Sequence, residues 1–320
     1  MTSAPQVVGR FAPSPTGRLH LGNVRSALLG WLQARAAGGR FLLRVEDLDP
    51  DRSRAEAVDW LFEDLAFLGL DWDGEVWRQS QRGAAYDEAL SRLEAQGLVY
   101  RCWCSRAEIA RAASAPHAGE EGPVYPGTCR DGATPKPGRT PAWRFRVPPG
   151  VVRFVDEVRG PVEQDVAAQV GDFVVKRADG VASYQLAVVV DDAAQGVTDV
   201  LRADDLLTST PRQILLYRAL GQPVPRFAHV PLLLQPDGKR LAKREGSTTV
   251  AGLRANGLTA EAIVGLLAKW SGLSDGRPVR ARELLDGFAL AKVRREPTVV
   301  TQHELDALSP VRREGQGAGK

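Results

Sequence analysis

Two prolines decide the start of this chain. Val7 to Ala12 reads as an apolar strand that Pro13 and Pro15 forbid from continuing, and helical spacing begins within a few residues. The helix is predicted from about Asn23 to Ala37, with Val24, Ala27, Leu28, Trp31 and Leu32 on its buried face. Between strand and helix lies a small-residue loop with a single histidine, His20, and with Gly17 and Gly22, which let backbone approach a ligand closely. A helix start offers unpaired N–H groups and a partial positive charge, so this corner predicts a nucleotide-phosphate site. His20 then stands where it can hydrogen-bond the α-phosphate of ATP as negative charge builds there. The simpler reading of a lone His-Leu-Gly-Asn is a surface histidine on a tight corner; its place at a strand-to-helix turn favours phosphate.

A second segment, Asp237 to Gly246, carries four cations within six residues: Lys239, Arg240, Lys243 and Arg244. Most such runs are solvated loops. Here composition argues otherwise, because only 7 of the 42 basic residues are lysine, none precedes Lys136, and two fall in this loop. Lysine is a compact, rotatable donor suited to neutralising pyrophosphate, and Gly238 and Gly246 would let the loop close.

His20-Leu21-Gly22-Asn23 and Arg240-Leu241-Ala242-Lys243-Arg244 resemble the HIGH and KMSKS signatures of class I aminoacyl-tRNA synthetases. RFAPSPTGRLHLGN, LLRVEDLDPDRSR and SYQLAVVVDDAAQGVTDVLRADDLL are similar, in order and spacing, to the glutamyl-tRNA synthetase family over roughly the first 250 residues. Asn23 departs from the last histidine of HIGH, Arg240 from the first lysine of KMSKS and Ala242 from its serine. These departures shift catalytic weight to His20 and Lys243. The resemblance implies that ATP contacts His20, Gly22, Asn23 and the segment Arg240, Leu241, Ala242, Lys243 and Arg244.

Strand and helix patterns alternate further along, with Phe41 to Val45 a strand, Ala55 to Leu68 and Tyr86 to Gln96 helices. From Leu98 to about Arg139 the pattern gives way to a Gly-, Pro- and Ala-rich insertion. Short strands at Trp143 to Val147, Val151 to Asp156, Gly160 to Val166 and Phe173 to Lys176 predict a small β-rich subdomain reaching about residue 185. The apolar run Leu186 to Val190 reads as a buried strand ending in Asp191-Asp192. Helices are expected at about Val250 to Asn256, Ala260 to Lys269 and Ala281 to Asp286, and the tail from Arg312 reads as disordered. The fold class is therefore α/β. The resemblance implies a Rossmann-type class I catalytic domain with a zinc-containing insertion and a helical C-terminal appendix. Its halves fall at 1–100 and 186–246, the insertion at 101–185, the appendix at 247–310 and the tail at 311–320.

Length and a hydrophobic content of 43% suit a soluble enzyme with a sizeable core. No apolar run approaches the roughly 18 residues of a membrane span, and the N-terminus lacks a secretion pattern, so a cytoplasmic protein without membrane association is expected. A net charge of +3 neither demands nor excludes RNA, and no obligate protein partner is evident.

All three cysteines sit in the insertion, as Cys102-x-Cys104 and then Cys129. In a cytoplasmic protein such a cluster suggests metal before disulfide. Zn²⁺ wants four ligands, and the fourth candidates are His117 and Tyr125. By chemistry alone His117 is the commoner ligand type. The glutamyl-queuosine branch of the family carries Cys-x-Cys…Tyr-x3-Cys, and that resemblance implies Cys102, Cys104, Tyr125 and Cys129 in a closed structural site.

An amino acid with two carboxylates and one ammonium requires two cations and one anion. Arg10 and Arg202 can fork onto carboxylates and Glu46 can accept from an ammonium. The resemblance implies that Arg10 takes the side-chain carboxylate of L-glutamate, Arg202 the α-carboxylate and Glu46 the amino group. Phe11, Ala12, Pro13, Ser14 and Tyr184 complete that pocket. Asp47, Asp49, Asp191 and Asp192 are assigned no chemistry.

The implied reaction is activation of L-glutamate by ATP, with Mg²⁺, to glutamyl-adenylate. Full-length family members append an anticodon-binding region that nothing in these 320 residues resembles. With the cysteine pattern, this implies transfer of glutamate to queuosine at the wobble position of tRNA(Asp). The alternatives are a truncated synthetase charging the 3′ end of tRNA(Glu), an acyl-adenylate-forming nucleotidyltransferase that uses no RNA, and a catalytically silent tRNA-binding module.

Overall fold

The computed structural model describes residues 6–112, 124–241, 248–301 and 303–304. Lys243, Ala242, Arg244, His117 and the tail 311–320 lie outside them.

The first unit forms where the prolines and apolar spacing require it. β1 (Val8–Phe11) is buried throughout and runs into α1 (Leu21–Ala36) through the loop bearing His20. The helix opens two residues before its predicted start, so His20 is its N-cap and Gly22 and Asn23 lie in its first turn. Val24, Ala27, Leu28, Trp31 and Leu32 are all buried, and they centre the larger core. β2 (Arg40–Val45) pairs parallel with β1, and β3 (Trp77–Arg78) pairs parallel with β2. α2 (Ala55–Phe67) and α3 (Gly83–Ala95) follow the predicted helices closely.

The middle of the chain departs from expectation. β4 (Val99–Cys102) and β5 (Ala142–Phe145) pair antiparallel, with α4 (Arg106–Ala112) between them in sequence. The hairpin β6 (Val151–Asp156) and β7 (Gly160–Asp165) does not join that sheet. After α5 (Val166–Gln169), β8 (Val174–Lys176) returns to pair with β5. The small antiparallel sheet is thus β4-β5-β8. A hairpin announces itself by local alternation and a turn, whereas the sheet it joins is a long-range choice that local pattern does not encode.

Leu186 to Val190 is not a strand. These residues lie inside α6 (Tyr184–Ala194), which Ser183 caps by accepting the Leu186 N–H at 3.4 Å. A short run of β-branched apolar residues reads the same for a buried strand and a buried helix. Burial of Leu186, Ala187, Val188 and Val189 together shows a helix covered on most sides.

β9 (Asp199–Ala203) leads through a 3₁₀ turn into α7 (Thr210–Ala219), and β10 (Arg226–Val230) pairs parallel with β9 along its length. β6 pairs parallel with the other side of β10 at Asp156 and Phe227, giving the order β7-β6-β10-β9. β1 lies beside β9, where the Thr198 N–H meets the Val8 carbonyl at 2.9 Å. The carboxyl ends of β1 and β9 therefore open onto one side. That is where parallel α/β sheets bind ligands.

After β11 (Leu233–Leu234), the C-terminal segment holds α8 (Val250–Ala255) and α9 (Ala260–Trp270) near the predicted positions. Ala281–Leu284 is a 3₁₀ turn where a longer helix was expected. β12 (Thr298–Val299) pairs with β11 and stitches this segment back to the sheet region. No described helix is long and apolar enough to cross a membrane.

Candidate active site and metal centre

Two neighbouring clefts open at the carboxyl ends of β1 and β9. The first, about 580 Å³, is lined by His20, Gly22, Asn23, Leu233, Arg240 and Leu241 among others. His20 adopts extended dihedrals ahead of the helix and makes no side-chain cap. A side chain added at Gly22 would meet nothing within 4 Å, leaving room at the helix start.

The lysine-bearing segment departs from and returns to the wall of this cleft. On its entry side, the Leu241 N–H donates to the Leu233 carbonyl at 2.7 Å and Arg240 Nη2 meets Asp205 Oδ2 at 2.7 Å. Gly238, at φ +79°, turns the chain there. On its exit side, the Leu21 N–H donates to the Thr248 carbonyl at 3.2 Å and Thr249 bridges His20 antiparallel. Arg240 and Leu241 thus line the cleft, and Thr248 and Thr249 lie against Leu21 and His20.

The second cleft, about 370 Å³, holds Arg10, Phe11, Ala12, Pro13, Ser14, Glu46, Tyr184 and Arg202 together. It shares Asn23, Ser26, Arg52, Ala203 and Arg240 with the first. β1 and its following loop deliver Arg10 through Ser14, the end of β2 delivers Glu46, the start of α6 Tyr184, and β9 Arg202. The Glu46 N–H donates to the Pro13 carbonyl at 3.0 Å, locking the β2 end against the loop.

Electrostatically the pocket is richer in guanidinium groups than in carboxylates. Arg10 Nε reaches Asp192 Oδ2 at 3.3 Å. Arg44 is fully buried and donates to Asp192 Oδ1 at 2.6 Å, Gln195 Oε1 at 2.8 Å and Glu46 Oε1 at 3.2 Å. Burial opposes its charge, but Asp192, Glu46 and Asp191 more than offset that, so Arg44 holds its proton more tightly than usual. Among the described residues the hydrogen-bond partners of Arg202 are neutral: His229, Tyr184, Thr210, Gln213 and the Leu206 carbonyl. Its burial lowers its pKa. Asp191 lies 3.9 Å from Arg44 Nε and takes its hydrogen bonds from Gln79, Arg82 and Tyr86. Arg10, Arg44 and Arg202 thus face Asp192 and Glu46, and Arg52, Arg240 and Asp205 also line the cleft, so cations outnumber carboxylates. Desolvation also raises the pKa of Glu46 despite the pull of Arg44 and Arg10, so an incoming ammonium would help to keep it ionised.

The three cysteines converge, with their sulfurs within 4.8 Å of one another. Cys104 Sγ lies 3.5 Å from Cys129 Sγ, and Tyr125 Oη lies 3.4 Å from Cys102 Sγ and 3.9 Å from Cys104 Sγ. A tetrahedron with Zn–S bonds of 2.3 Å has edges of roughly 3.8 Å, so these spacings fit one ion and four ligands. Arg144 stacks over the Tyr125 ring at 3.8 Å and its Nε reaches Cys102 Sγ at 3.3 Å. Burial opposes ionisation of Cys102, but its hydrogen bonds with Tyr125, the Cys104 backbone and Arg144 hold its thiol below the usual range.

Sequence reasoning gives no role to Arg44, His229 or Asp156, and names Asp192 without assigning it chemistry. Arg44 and Glu46 stand two apart on an otherwise apolar strand, hence on one side of it, and that spacing was an available sign of a buried pair. Asp192 was hidden by reading α6 as a strand. His229 carried no local signal.

Against known proteins, residues 6–306 match the family model described as tRNA synthetases class I (E and Q), catalytic domain. The glutamyl-Q tRNA(Asp) synthetase of Symbiobacterium thermophilum is 54% identical over 318 residues, covering 94% of this chain and 98% of that protein. The protein of the same name from Nocardia farcinica is 50% identical over 309 residues, covering 93% and 94%. A glutamate–tRNA ligase of Dichelobacter nodosus is 43% identical over 302 residues, 93% of this chain and 64% of that one. Among solved structures, a glutamate tRNA ligase from Elizabethkingia meningosepticum in complex with its amino acid superposes with a TM-score of 0.82 at 28% identity, over 95% of this chain and 68% of that chain.

Proposed function

Because the chain belongs to the family of class I tRNA synthetase catalytic domains for glutamate and glutamine, we propose that it activates L-glutamate with ATP and transfers the glutamyl group to queuosine at the wobble position of tRNA(Asp). The observation that carries the activation step is the pocket's excess of cations beside the cleft of His20. Glutamate brings two carboxylates and one ammonium, a net charge of minus one, which suits a pocket richer in cations than in carboxylates.

In this reading Arg10 holds the side-chain carboxylate, Arg202 the α-carboxylate and Glu46 the ammonium. An α-carboxylate oxygen attacks the α-phosphorus of ATP, a P–O bond forms, and the bond to pyrophosphate breaks. No protein nucleophile takes part, so rate comes from positioning and charge stabilisation. His20 donates to the α-phosphate as charge develops, and Lys243 neutralises the departing pyrophosphate. Mg²⁺ would share that charge. An arginine at the side-chain end favours glutamate over glutamine, because an amide offers one acceptor oxygen and turns donors toward the cation.

The queuosine acceptor is supported by relatives at 45–54% identity that carry the name glutamyl-Q tRNA(Asp) synthetase. The test is mass spectrometry of anticodon-loop nucleosides after incubation with ATP and labelled glutamate, using tRNA(Asp) with and without queuosine. A glutamyl adduct on queuosine is the expected product. Label on the 3′ end of tRNA(Glu) would instead mark the truncated-synthetase alternative.

The cysteine cluster is assigned a structural Zn²⁺ held by Cys102, Cys104, Cys129 and Tyr125. Bound there, zinc would tie the loop around Tyr125 and Cys129 to the end of β4. Cys129→Ser is expected to lose bound zinc by elemental analysis and to lower Tm by roughly 5 °C or more. Zinc-free wild-type protein with an unchanged Tm would contradict the assignment.

A further inference from the structure

His229 is wholly buried on β10, opposite Arg202 on β9, and Asp156 ends the adjacent β6. Three neighbouring strands thus deliver an aspartate, a histidine and an arginine in a row. Arg202 Nε lies 2.9 Å from His229 Nε2, and His229 Nδ1 lies 2.6 Å from Asp156 Oδ2. Guanidinium nitrogens only donate, so Nε2 must accept, which places the ring proton on Nδ1 and aims it at Asp156. Asp156 is itself fixed, its Oδ1 accepting the backbone N–H groups of Val158, Arg159 and His229 at 2.8–3.1 Å. Burial, with the positive charges of Arg202 and Arg10 nearby, pulls the His229 pKa down to about 4 against the opposing pull of Asp156, so the ring is neutral near pH 7.

We propose that His229 and Asp156 are positioning residues for Arg202, fixing its guanidinium through a neutral imidazole so that an N–H of Nη1 stays available to a substrate carboxylate. The inference rests on the reading above that Arg202 takes such a carboxylate. Thr210 and Gln213 occupy Nη2 at 2.9 and 2.8 Å, and His229 occupies Nε. Tyr184 Oη, at 3.3 Å, is the hydrogen-bond partner of Nη1 among the described residues, and Nη1 carries two N–H groups. A carboxylate in direct contact would close an ion pair that the substrate must then compete with. The interposed ring supplies the same orientation while keeping the aspartate one residue away. Arg202 is thereby aimed without being neutralised.

The test is pyrophosphate exchange with glutamate and ATP varied separately, in wild type, His229→Leu and His229→Gln. The leucine variant is expected to raise KM for glutamate about tenfold, the loss of one hydrogen bond to a charged group, with KM for ATP and kcat little changed. Glutamine is expected to recover most of the loss, since its amide oxygen accepts from Arg202 and its NH₂ donates to Asp156. A glutamate KM unmoved in His229→Leu, or an equal rise in both KM values, would overturn the proposal. Nitrogen-15 NMR of the histidine rings tests it without mutation. The Nδ1-protonated tautomer is expected for His229, and an Nε2-protonated ring would refute the relay. Wild-type protein without any glutamate-dependent exchange would remove the underlying reading instead.

Discussion

Arg202→Leu is expected to raise KM for L-glutamate by about a hundredfold, because a charge-assisted hydrogen bond from Nη1 contributes up to ~3 kcal/mol and leucine removes it together with the cation. The loss should exceed that of a surface arginine for two reasons. The substrate carboxylate would enter a buried pocket and find no partner, and Thr210, Gln213 and His229 would lose the donor they share. Arg202→Lys is expected to recover little, since one ammonium cannot span the partners that a planar fork reaches. Steady-state exchange kinetics with a thermal melt as control measures this. A folded Arg202→Leu protein with near-normal glutamate KM would remove Arg202 from the site.

His20→Ala should act on a different quantity. The ring stands at the head of α1 in the larger cleft, and its proposed hydrogen bond forms to charge that exists fully only in the transition state. Its removal is therefore expected to lower kcat by roughly 10²–10³ with KM for ATP little changed, as when one donor is lost from an oxyanion hole. His20→Asn, which keeps an N–H donor near the same place, is expected to recover part of the rate. An alanine variant that binds ATP weakly yet turns over at the wild-type kcat would make His20 a binding residue only.

The first βα unit was legible in the sequence because local rules fix it. Pro13 and Pro15 end a strand, spaced apolar residues from Val24 onward make a buried helix face, and both are seen. The cysteine cluster was also legible, since spacing and chemistry coincide in a short segment. Tyr184, Arg10, Glu46 and Arg202 come from four separate elements, and only the family resemblance grouped them before the fold did. What stayed illegible was non-local. Leu186 to Val190 has the composition of a strand but is buried as a helix, and the hairpin at residues 151–165 chose β10 as its neighbour. The residues that orient the pocket, Arg44, Asp192, His229 and Asp156, are paired across 27 to 148 positions of sequence. Their partners are set by sheet order, which no short window contains.

The most direct measurement of the central claim, that adjoining clefts present ATP and glutamate to each other, is amino-acid-dependent ATP–pyrophosphate exchange by the purified protein without tRNA. Exchange with L-glutamate, and little with L-glutamine or L-aspartate, is the result expected from Arg10 and Arg202 flanking one pocket beside His20. Absence of exchange with L-glutamate in folded protein supplied with Mg²⁺ would contradict it.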